Sequence, residues 1–303
     1  MRVLVTGASG GLGRDVADVL GGSSPVGGVQ DALGKWKGSI GRAIELMAAD
    51  RRSLDVSKRD KVAAVFEAFR PHVVVHCAAW TAVDACETDA ERAFTVNAMG
   101  TRHVAEAARR HGTHVVYVST DYVFDGTADR PYVEWDQTNP LSVYGRSKRG
   151  GELELDAADT IVRTSWVSGY HGANMVRTVL RLAAGDQPMR FVDDQRGSPS
   201  FTADLAAALV LLSTERLPGV FHLTNQGATT WFEFARAVMS VSGQDPQRVM
   251  PISTAQLQPP RPAPRPANSV LANAAWSALG LPLLPPWQEA LERLVSAIAA
   301  GGS

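Results

Sequence analysis

The sequence lacks the features that mark disulfide-rich, membrane-spanning and strongly charged proteins. Only two of its 303 residues are cysteines, Cys77 and Cys86. That is too few for a disulfide framework or a cysteine-rich zinc site, so a reducing, cytoplasmic compartment is expected. No run of about 18 apolar residues occurs, so no transmembrane helix is predicted. The formal net charge of −1 provides no overall attraction to anionic surfaces. We therefore expect neither nucleic acid nor a membrane as a partner.

The chain does contain an alternation of short apolar runs with amphipathic stretches. Hydrophobic residues make up 45% and charged residues 20% of the sequence, as in ordinary globular proteins. β-Branched apolar runs of this kind are typical of strands buried on both faces of a parallel sheet. The predicted strands are 2–6, 44–48, 73–77, 115–119 and 161–165, and the predicted helices are 12–20, 58–70, 90–111 and 143–155. This order predicts an α/β fold, a Rossmann-type doubly wound parallel sheet.

The alternation loosens after residue 165, which predicts a smaller C-terminal α/β substrate lobe. We assign residues 1–165 to a dinucleotide-binding domain, with 201–222 packing back on it, and residues 166–200 and 223–303 to the substrate-binding lobe. Residues 21–43 form an insertion, because a link from helix to strand usually has about two to six residues. The insertion is either a lid or partner contact, or a tolerated surface loop, and we favour the loop.

A glycine-rich turn follows the first predicted strand. Gly7, Gly10 and Gly13 have the spacing that dinucleotide-binding loops use, with Gly11 and Leu12 between them. The first glycine allows the sharp turn, the second lets the backbone approach a phosphate, and the third lets the helix pack closely on the sheet. The N–H groups at the start of the following helix then face the anion. The turn predicts a pyrophosphate site.

The end of the second predicted strand bears on the choice of cofactor. Asp50 offers an acceptor for the ribose 2′-hydroxyl of NADH, whereas Arg51 and Arg52 offer cations for the 2′-phosphate of NADPH. NADPH is the preferred prediction, and NADH remains an alternative. Asp55, next to Val56, is placed either to accept from the adenine amine or to cap the following helix.

Small residues follow the third predicted strand. Ala78 and Ala79, with Trp80 after them, would let the cofactor lie across the backbone. Cys77 is interpreted as a small buried hydrophobic residue rather than a nucleophile. Residues 78–80 are therefore predicted to line the cofactor site.

Tyr144 and Lys148 are the candidate catalytic pair. Residues four apart share one face of a helix, so both side chains can reach the same site. A neighbouring ammonium favours the phenolate, which predicts a lowered pKa for Tyr144 and a role in proton transfer. Thr120 ends the preceding strand, where its hydroxyl can polarise a carbonyl. The expected chemistry is hydride transfer from the cofactor and proton transfer from Tyr144, with Lys148 also binding the nicotinamide ribose.

These motifs resemble the extended short-chain dehydrogenase/reductase family, and within it the dTDP-4-dehydrorhamnose reductases. The resemblance covers nearly the whole chain outside the insertion. The segments that carry it are 78–84, 96–98, 119–126, 131–132, 144–148, 151–152, 163–167, 193–199, 222–225 and 265–269. Related sugar-nucleotide dehydratases carry Asp-Glu after the threonine. Here Asp121 is followed by Tyr122, which fits simple reduction better than elimination of water.

The resemblance implies reduction of the C4 ketone of a dTDP-4-keto-6-deoxy sugar by NAD(P)H, giving dTDP-L-rhamnose or a close relative. It further implies that Ser119, Thr120 and Trp166 contact the sugar and that the second lobe holds the nucleotide. Two alternatives remain: a reductase of another 4-keto sugar, and a non-catalytic NADP-binding regulatory subunit. The joint presence of Thr120, Tyr144 and Lys148 argues against the second. A monomer and a homodimer are both compatible with the sequence.

Two adjacent carboxylates raise the question of a metal ion. Asp193 and Asp194, together with Asp15, could supply the hard oxygen ligands that Mg²⁺ prefers. The favoured interpretation is a turn whose carboxylates accept from backbone N–H groups. No metal ligand is therefore predicted.

Overall fold

The computed structural model describes residues 1–23 and 43–301. Residues 24–42, most of the expected insertion, lie outside the described residues. The strands in chain order are β1 (Arg2–Thr6), β2 (Glu45–Ala49), β3 (Val73–His76), β4 (His114–Thr120), β5 (Thr160–Thr164), β6 (Val167–Ser168), β7 (Met189–Val192), β8 (Arg196–Gly197), β9 (Ser200–Phe201), β10 (Gly219–His222), β11 (Thr229–Thr230) and β12 (Val249–Ile252). The α-helices are α1 (Gly11–Leu20), α2 (Arg59–Phe69), α3 (Val83–Thr88), α4 (Ala90–Phe94), α5 (Gly100–His111), α6 (Val143–Glu152), α7 (Met175–Ala183), α8 (Thr202–Glu215), α9 (Trp231–Val241), α10 (Ala274–Ala278) and α11 (Trp287–Gly301).

Six parallel strands form the central sheet, in the order β10-β5-β4-β3-β1-β2. The chain runs outward from β1 to β2 and then returns to place β3 on the other side of β1. The strand order therefore reverses beside the carboxyl end of β1, where open α/β sheets bind their ligands. This confirms the predicted doubly wound α/β fold.

Alternate residues of the strands face two separate helical layers, because side chains along a strand point to opposite faces. Val3 and Val5 of β1 pack in a core with α1 and α8. Leu4 faces the opposite side, in a core with α2 and α5. Both faces of the sheet are thus covered, which explains why its strands are apolar throughout.

The second half of the chain contributes to both lobes. Helix α8 packs against α1, and β10 extends the central sheet beyond β5. A separate core is built from α7, α9 and α11 with β7 and β12, which pair in parallel. Two short pairs, β6 with β9 and β8 with β11, lie in the same half of the chain. The assignment of these segments to functional domains stays a prediction.

The long helix predicted for residues 90–111 is interrupted. Helix α4 ends at Phe94, a π-helical stretch covers Thr95–Met99, and α5 continues from Gly100. The side chain of Asn97, in the π-helical stretch, binds both the N–H and the carbonyl of Trp80. π-Helical stretches within α-helices are frequent at functional sites.

Among the described helices, none combines the length and apolar character needed to cross a bilayer.

Candidate active site

A cavity of about 530 Å³ lies at the carboxyl ends of β1, β4 and β5. A second cavity of about 230 Å³ adjoins it, and Gly7, Ser9, Gly10, Cys77 and Ala79 line both. The two cavities therefore meet at the glycine loop, which is the arrangement that a two-part ligand such as a dinucleotide requires.

Most of the predicted site residues line one of these cavities. The larger cavity is lined by Gly7, Gly10, Gly11, Leu12, Gly13, Ala79, Ser119, Thr120, Tyr144, Lys148 and Trp166. The smaller cavity is lined by Arg51, Asp55, Val56, Ala78 and Trp80 in addition to shared glycine-loop residues. Asp50 and Arg52, both considered for the cofactor ribose, line neither cavity. The cofactor and substrate roles of these residues stay predictions.

The backbone of the glycine loop leaves no room for side chains at two positions. Gly7 has a φ of +69°, and a Cβ there would lie 2.7 Å from the amide nitrogen of Ala78. A Cβ on Gly13 would overlap the carbonyl oxygen of Gly7. Gly10 precedes α1 without a side-chain cap, so the first N–H groups of this helix remain for an anion. The loop fits a pyrophosphate.

Helix α6 holds Tyr144 and Lys148 against the end of β4. Ser142 caps this helix by accepting from the N–H of Gly145 at 3.0 Å. Tyr144 is 8% exposed and Lys148 2% exposed. The Lys148 ammonium donates to the carbonyl of Val118 at 2.7 Å and lies 4.1 Å from the centre of the Tyr117 ring. Both groups are thus fixed inside the cavity wall.

Burial dominates the ionisation of this pair. It lowers the pKa of Lys148 to about 7, although the carboxylate of Glu152 and the Cys77 thiol oppose the change. It raises the pKa of Tyr144, against a hydrogen bond from Thr120, while Asp121 and Tyr122 raise it further. The expected lowering of the Tyr144 pKa is therefore wrong, because the phenol is removed from water.

Asp121 is a buried carboxyl beside the reacting groups. Its Oδ1 accepts from the hydroxyl of Thr120 at 2.9 Å, and its Oδ2 has no partner. Burial raises the pKa of Asp121 to about 6, while the nearby hydroxyls of Ser269 and Thr120 oppose the change. The Thr120 hydroxyl is thus oriented by a group that titrates close to neutrality.

The hydroxyl of Ser119 is engaged behind the cavity surface. It donates to Glu152 Oε1 at 2.6 Å, and Arg163 binds the same carboxylate through two nitrogens at 2.9 Å. The side chains of Glu152 and Arg163 are 0% and 5% exposed. Ser119 lines the cavity, but its hydroxyl supports this buried ion pair.

The residues predicted to select the cofactor differ in whether their side chains already bind other protein groups. The Asp50 carboxylate accepts from the N–H groups of Arg52 and Ser53 and from the Ser53 hydroxyl. The Asp55 carboxylate accepts from the Ser57 N–H and hydroxyl. The side chain of Arg51 is 74% exposed and lies beside the smaller cavity. The Oδ1 atom of Asp50 is thus engaged within its own turn, while the Arg51 guanidinium is accessible.

Several residues in or beside the cavities were given no role from the sequence. Asn97 links helices around the site, since its amide also donates to the Ser147 hydroxyl at 2.9 Å. His171, Asn174 and Thr202 line the larger cavity from the second half of the chain. The motif around Asn97 was visible in the sequence, whereas the other three follow no local pattern.

The carboxylates considered for a metal bind protein groups. Asp193 accepts from the Thr230 hydroxyl at 2.6 Å, and Asp194 accepts from the N–H and hydroxyl of Thr254. Asp15 lies apart from them, in a group with Asp18 and His171. The structure therefore does not bring the three proposed Mg²⁺ ligands together.

Comparison with known proteins places the chain in one family. It matches the RmlD substrate binding domain family over residues 1–300. It is 42% identical over 299 residues to a dTDP-4-dehydrorhamnose reductase of Streptomyces griseus, covering 96% of this chain and 91% of the relative. It is 39% identical over 295 residues to a dTDP-4-keto-6-deoxy-D-glucose reductase of Streptomyces niveus, covering 96% of this chain and 95% of the relative.

A solved structure supports the same assignment. The dTDP-4-dehydrorhamnose reductase of Bacillus anthracis in complex with NADP has a TM-score of 0.84 to this structure and 34% sequence identity, over 97% of this chain and 98% of that one. Both the sequence match and the fold therefore extend over almost the entire chain. The chain belongs to the RmlD substrate binding domain family.

Proposed function

We propose that this chain is an NADPH-dependent reductase of a dTDP-4-keto-6-deoxy sugar. The favoured reaction is reduction of the C4 ketone of dTDP-6-deoxy-L-lyxo-4-hexulose to dTDP-L-rhamnose. One observation carries the proposal: Thr120, Tyr144 and Lys148 line the same cavity as the glycine loop. Relatives and a structural neighbour that bear the name of this reductase support it.

The roles of the three side chains follow from their surroundings. When bound, the reduced nicotinamide supplies a hydride to C4. Tyr144 donates its phenolic proton to the C4 oxygen, and its raised pKa keeps the phenol protonated and ready to donate. When the ketone binds, the Thr120 hydroxyl turns its single proton from Asp121 Oδ1 to the same C4 oxygen. Lys148, on the same face of α6 and with a pKa of about 7, binds the nicotinamide ribose and favours the phenolate once it forms.

The substrate contacts are proposed from the lining of the larger cavity. Trp166 lines this cavity, and Ser119 and Thr120 lie at the end of β4 beside it. Because the Ser119 hydroxyl is held by Glu152, we assign Ser119 a supporting contact rather than a strong hydrogen bond to the sugar.

We also propose a cytoplasmic location for the protein. The need for NADPH and the two free thiols support it.

NADPH is the proposed cofactor rather than NADH. Asp50 lines neither cavity, and its Oδ1 accepts three hydrogen bonds within its own turn, which favours a role in that turn over a contact with a ribose 2′-hydroxyl. Arg51 is exposed at the smaller cavity, where it can pair with a 2′-phosphate. The NADP complex of the Bacillus anthracis relative supports this choice.

The reaction is tested with purified protein, NADPH and dTDP-6-deoxy-L-lyxo-4-hexulose. Loss of absorbance at the reduced-nicotinamide band, with dTDP-L-rhamnose identified by NMR, is the expected result. Tyr144→Phe should abolish turnover and retain NADPH binding, whereas Tyr122→Phe, at the neighbouring ring, should retain turnover. Full activity in Tyr144→Phe would overturn the mechanism. Turnover of the isomeric dTDP-4-keto-6-deoxy-D-glucose alone would instead favour the reaction named for the Streptomyces niveus relative.

Cofactor choice is tested with Arg51→Ala and its neighbour Arg52→Ala. We expect Arg51→Ala to raise KM for NADPH about tenfold, the loss of one charge-assisted contact, and to leave KM for NADH unchanged. Arg52→Ala, whose side chain does not line the cavity, should have little effect on either. Equal effects of Arg51→Ala on both cofactors would contradict this assignment.

A further inference from the structure

Trp166 is backed by a second indole that lies outside the cavity. The rings of Trp166 and Trp231 are stacked, with centroids 3.6 Å apart and an angle of 8° between their planes. Trp166 lines the larger cavity, whereas Trp231 does not. Trp231 in turn meets Phe234 edge to face, and Phe234 packs on Trp287 in the core of the smaller lobe. A column of aromatic rings therefore connects that core to the cavity wall.

The backbone at Trp166 is in a conformation that a bulky residue seldom adopts. Its φ is +49°, in the left-handed region. Such backbone persists only where the surroundings fix it, and it clusters at ligand sites. On the C-terminal side, β6 pairs with β9, and the N–H of Ser200 donates to the carbonyl of Trp166 at 3.4 Å. The remaining constraint on the side chain comes from its ring contacts.

The short β8–β11 pair positions two groups that contact the Trp166 indole, Gly197 and Trp231. Gly197 of β8 pairs with Thr229 of β11, and Trp231 follows directly after β11. A Cβ on Gly197 would lie 2.7 Å from Cζ2 of Trp166. Thr230 caps α9, and its hydroxyl donates to Asp193, so the start of this helix is anchored. The indole of Trp166 is thus held between a glycine and a stacked ring.

We propose that Trp231 is a positioning residue for the sugar site. It fixes the indole of Trp166 at the cavity wall and acts on the substrate only through that indole. The inference rests on the proposed function and deepens it, because it assigns control of sugar binding to a residue outside the cavity. It follows that loss of the stacked ring impairs use of the sugar nucleotide and spares use of NADPH, which binds at the glycine loop.

The test compares four variants in steady-state assays, each with one substrate varied and the other saturating. Trp231→Leu should raise KM for the 4-keto sugar nucleotide about tenfold, which is roughly the change in binding that loss of one stacked aromatic pair produces. KM for NADPH should stay within about twofold of the wild-type value. Trp231→Phe, which retains a ring, should recover most of the loss. Gly197→Ala should reproduce the effect of Trp231→Leu, because the added methyl group displaces the same indole. Trp287→Phe is the control for general loosening of the smaller-lobe core.

The outcomes separate positioning from simple folding defects. A selective rise in KM for the sugar nucleotide in Trp231→Leu and Gly197→Ala, absent from Trp287→Phe, supports the proposal. Unchanged kinetics in a folded Trp231→Leu protein would overturn it. The proposal would also be overturned if Trp231→Leu and Trp287→Phe both lost activity equally with the sugar nucleotide and with NADPH. That pattern would report a loss of stability alone. A wild-type protein that reduces no 4-keto sugar would instead overturn the proposed function on which the inference rests.

Discussion

The buried ammonium of Lys148 makes the stability of this protein depend on pH in a specific direction. The side chain is 2% exposed, and its contacts are one carbonyl and one aromatic face. Burial lowers its pKa from 10.5 to about 7. A lowered pKa means that the folded chain releases this proton before the unfolded chain does. The penalty for burying the charge is therefore fully present below pH 7 and is relieved as the pH rises towards 10.5.

The magnitude follows from the two pKa values. At about 1.4 kcal/mol per pH unit, the full interval corresponds to about 5 kcal/mol. Structural relaxation and water penetration reduce such penalties in real interiors, so we expect about 2 to 5 kcal/mol. Lys148→Met removes the charge at every pH. The free energy of unfolding of the wild type, relative to Lys148→Met, should rise by that amount between pH 6.5 and pH 10.

The measurement is urea unfolding of both proteins without cofactor at pH 6.5, 8 and 10. Titrating groups that do not feel the Lys148 charge cancel in the difference, provided that the denaturant dependence of the two proteins is the same. His76 and Cys77 do feel it, but burial holds their pKa values in the folded chain at about 3 and about 12, outside this pH range. Lys61→Met, at an exposed position of α2, is the matched control and should give a small difference that does not vary with pH. A difference for Lys148→Met that stays constant across this range would refute the reasoning.

Three further predictions concern the framework of the site. Glu152→Gln should lower the free energy of unfolding by about 3 to 5 kcal/mol, because Arg163 would keep a buried charge without its partner; a loss under about 1 kcal/mol in urea titrations would contradict this. Asn97→Ala should lower the free energy of unfolding by about 2 kcal/mol, since the substitution leaves the N–H and carbonyl of Trp80 unpaired. An unchanged thermal unfolding midpoint would contradict this prediction. Gly13→Ala should raise KM for NADPH about tenfold or more by pushing α1 off the loop, with intact binding measured by calorimetry as the opposing result.

The parts of the site that sequence alone predicts are those encoded by short-range spacing. The glycine turn and the Tyr144–Lys148 pair each depend on a few neighbouring residues, so their placement follows from the geometry of one turn or one helix. The alternation of strands and helices along the chain likewise follows from hydrophobic periodicity. The two groups meet in one cavity because the doubly wound sheet places the carboxyl ends of β1 and β4 on the same edge.

The parts that sequence did not predict depend on contacts between distant residues. Asn97 binds Trp80 across 17 positions, and Ser119 reaches Glu152 across 33. Such pairs have no local signature. The direction of the Tyr144 pKa change was wrong for the same reason: the positive charge of Lys148 is visible in the sequence, but the exclusion of water is a property of the packed fold. The π-helical stretch after Phe94 is equally non-local, because the Asn97 amide within it binds the backbone of Trp80.

The return of β10 to the central sheet constrains how this protein can be cut and recombined. The second half of the chain supplies β10, an edge strand that pairs with β5. A polypeptide severed after β5 would therefore lack β10, and β5 would present an unpaired, apolar edge of the kind that promotes aggregation. A chimaera that exchanges the smaller lobe for that of another reductase needs junctions on both sides of the α8–β10 segment, not a single crossover point. The two halves of the protein are therefore interleaved in sequence, and neither can be exchanged as one continuous segment.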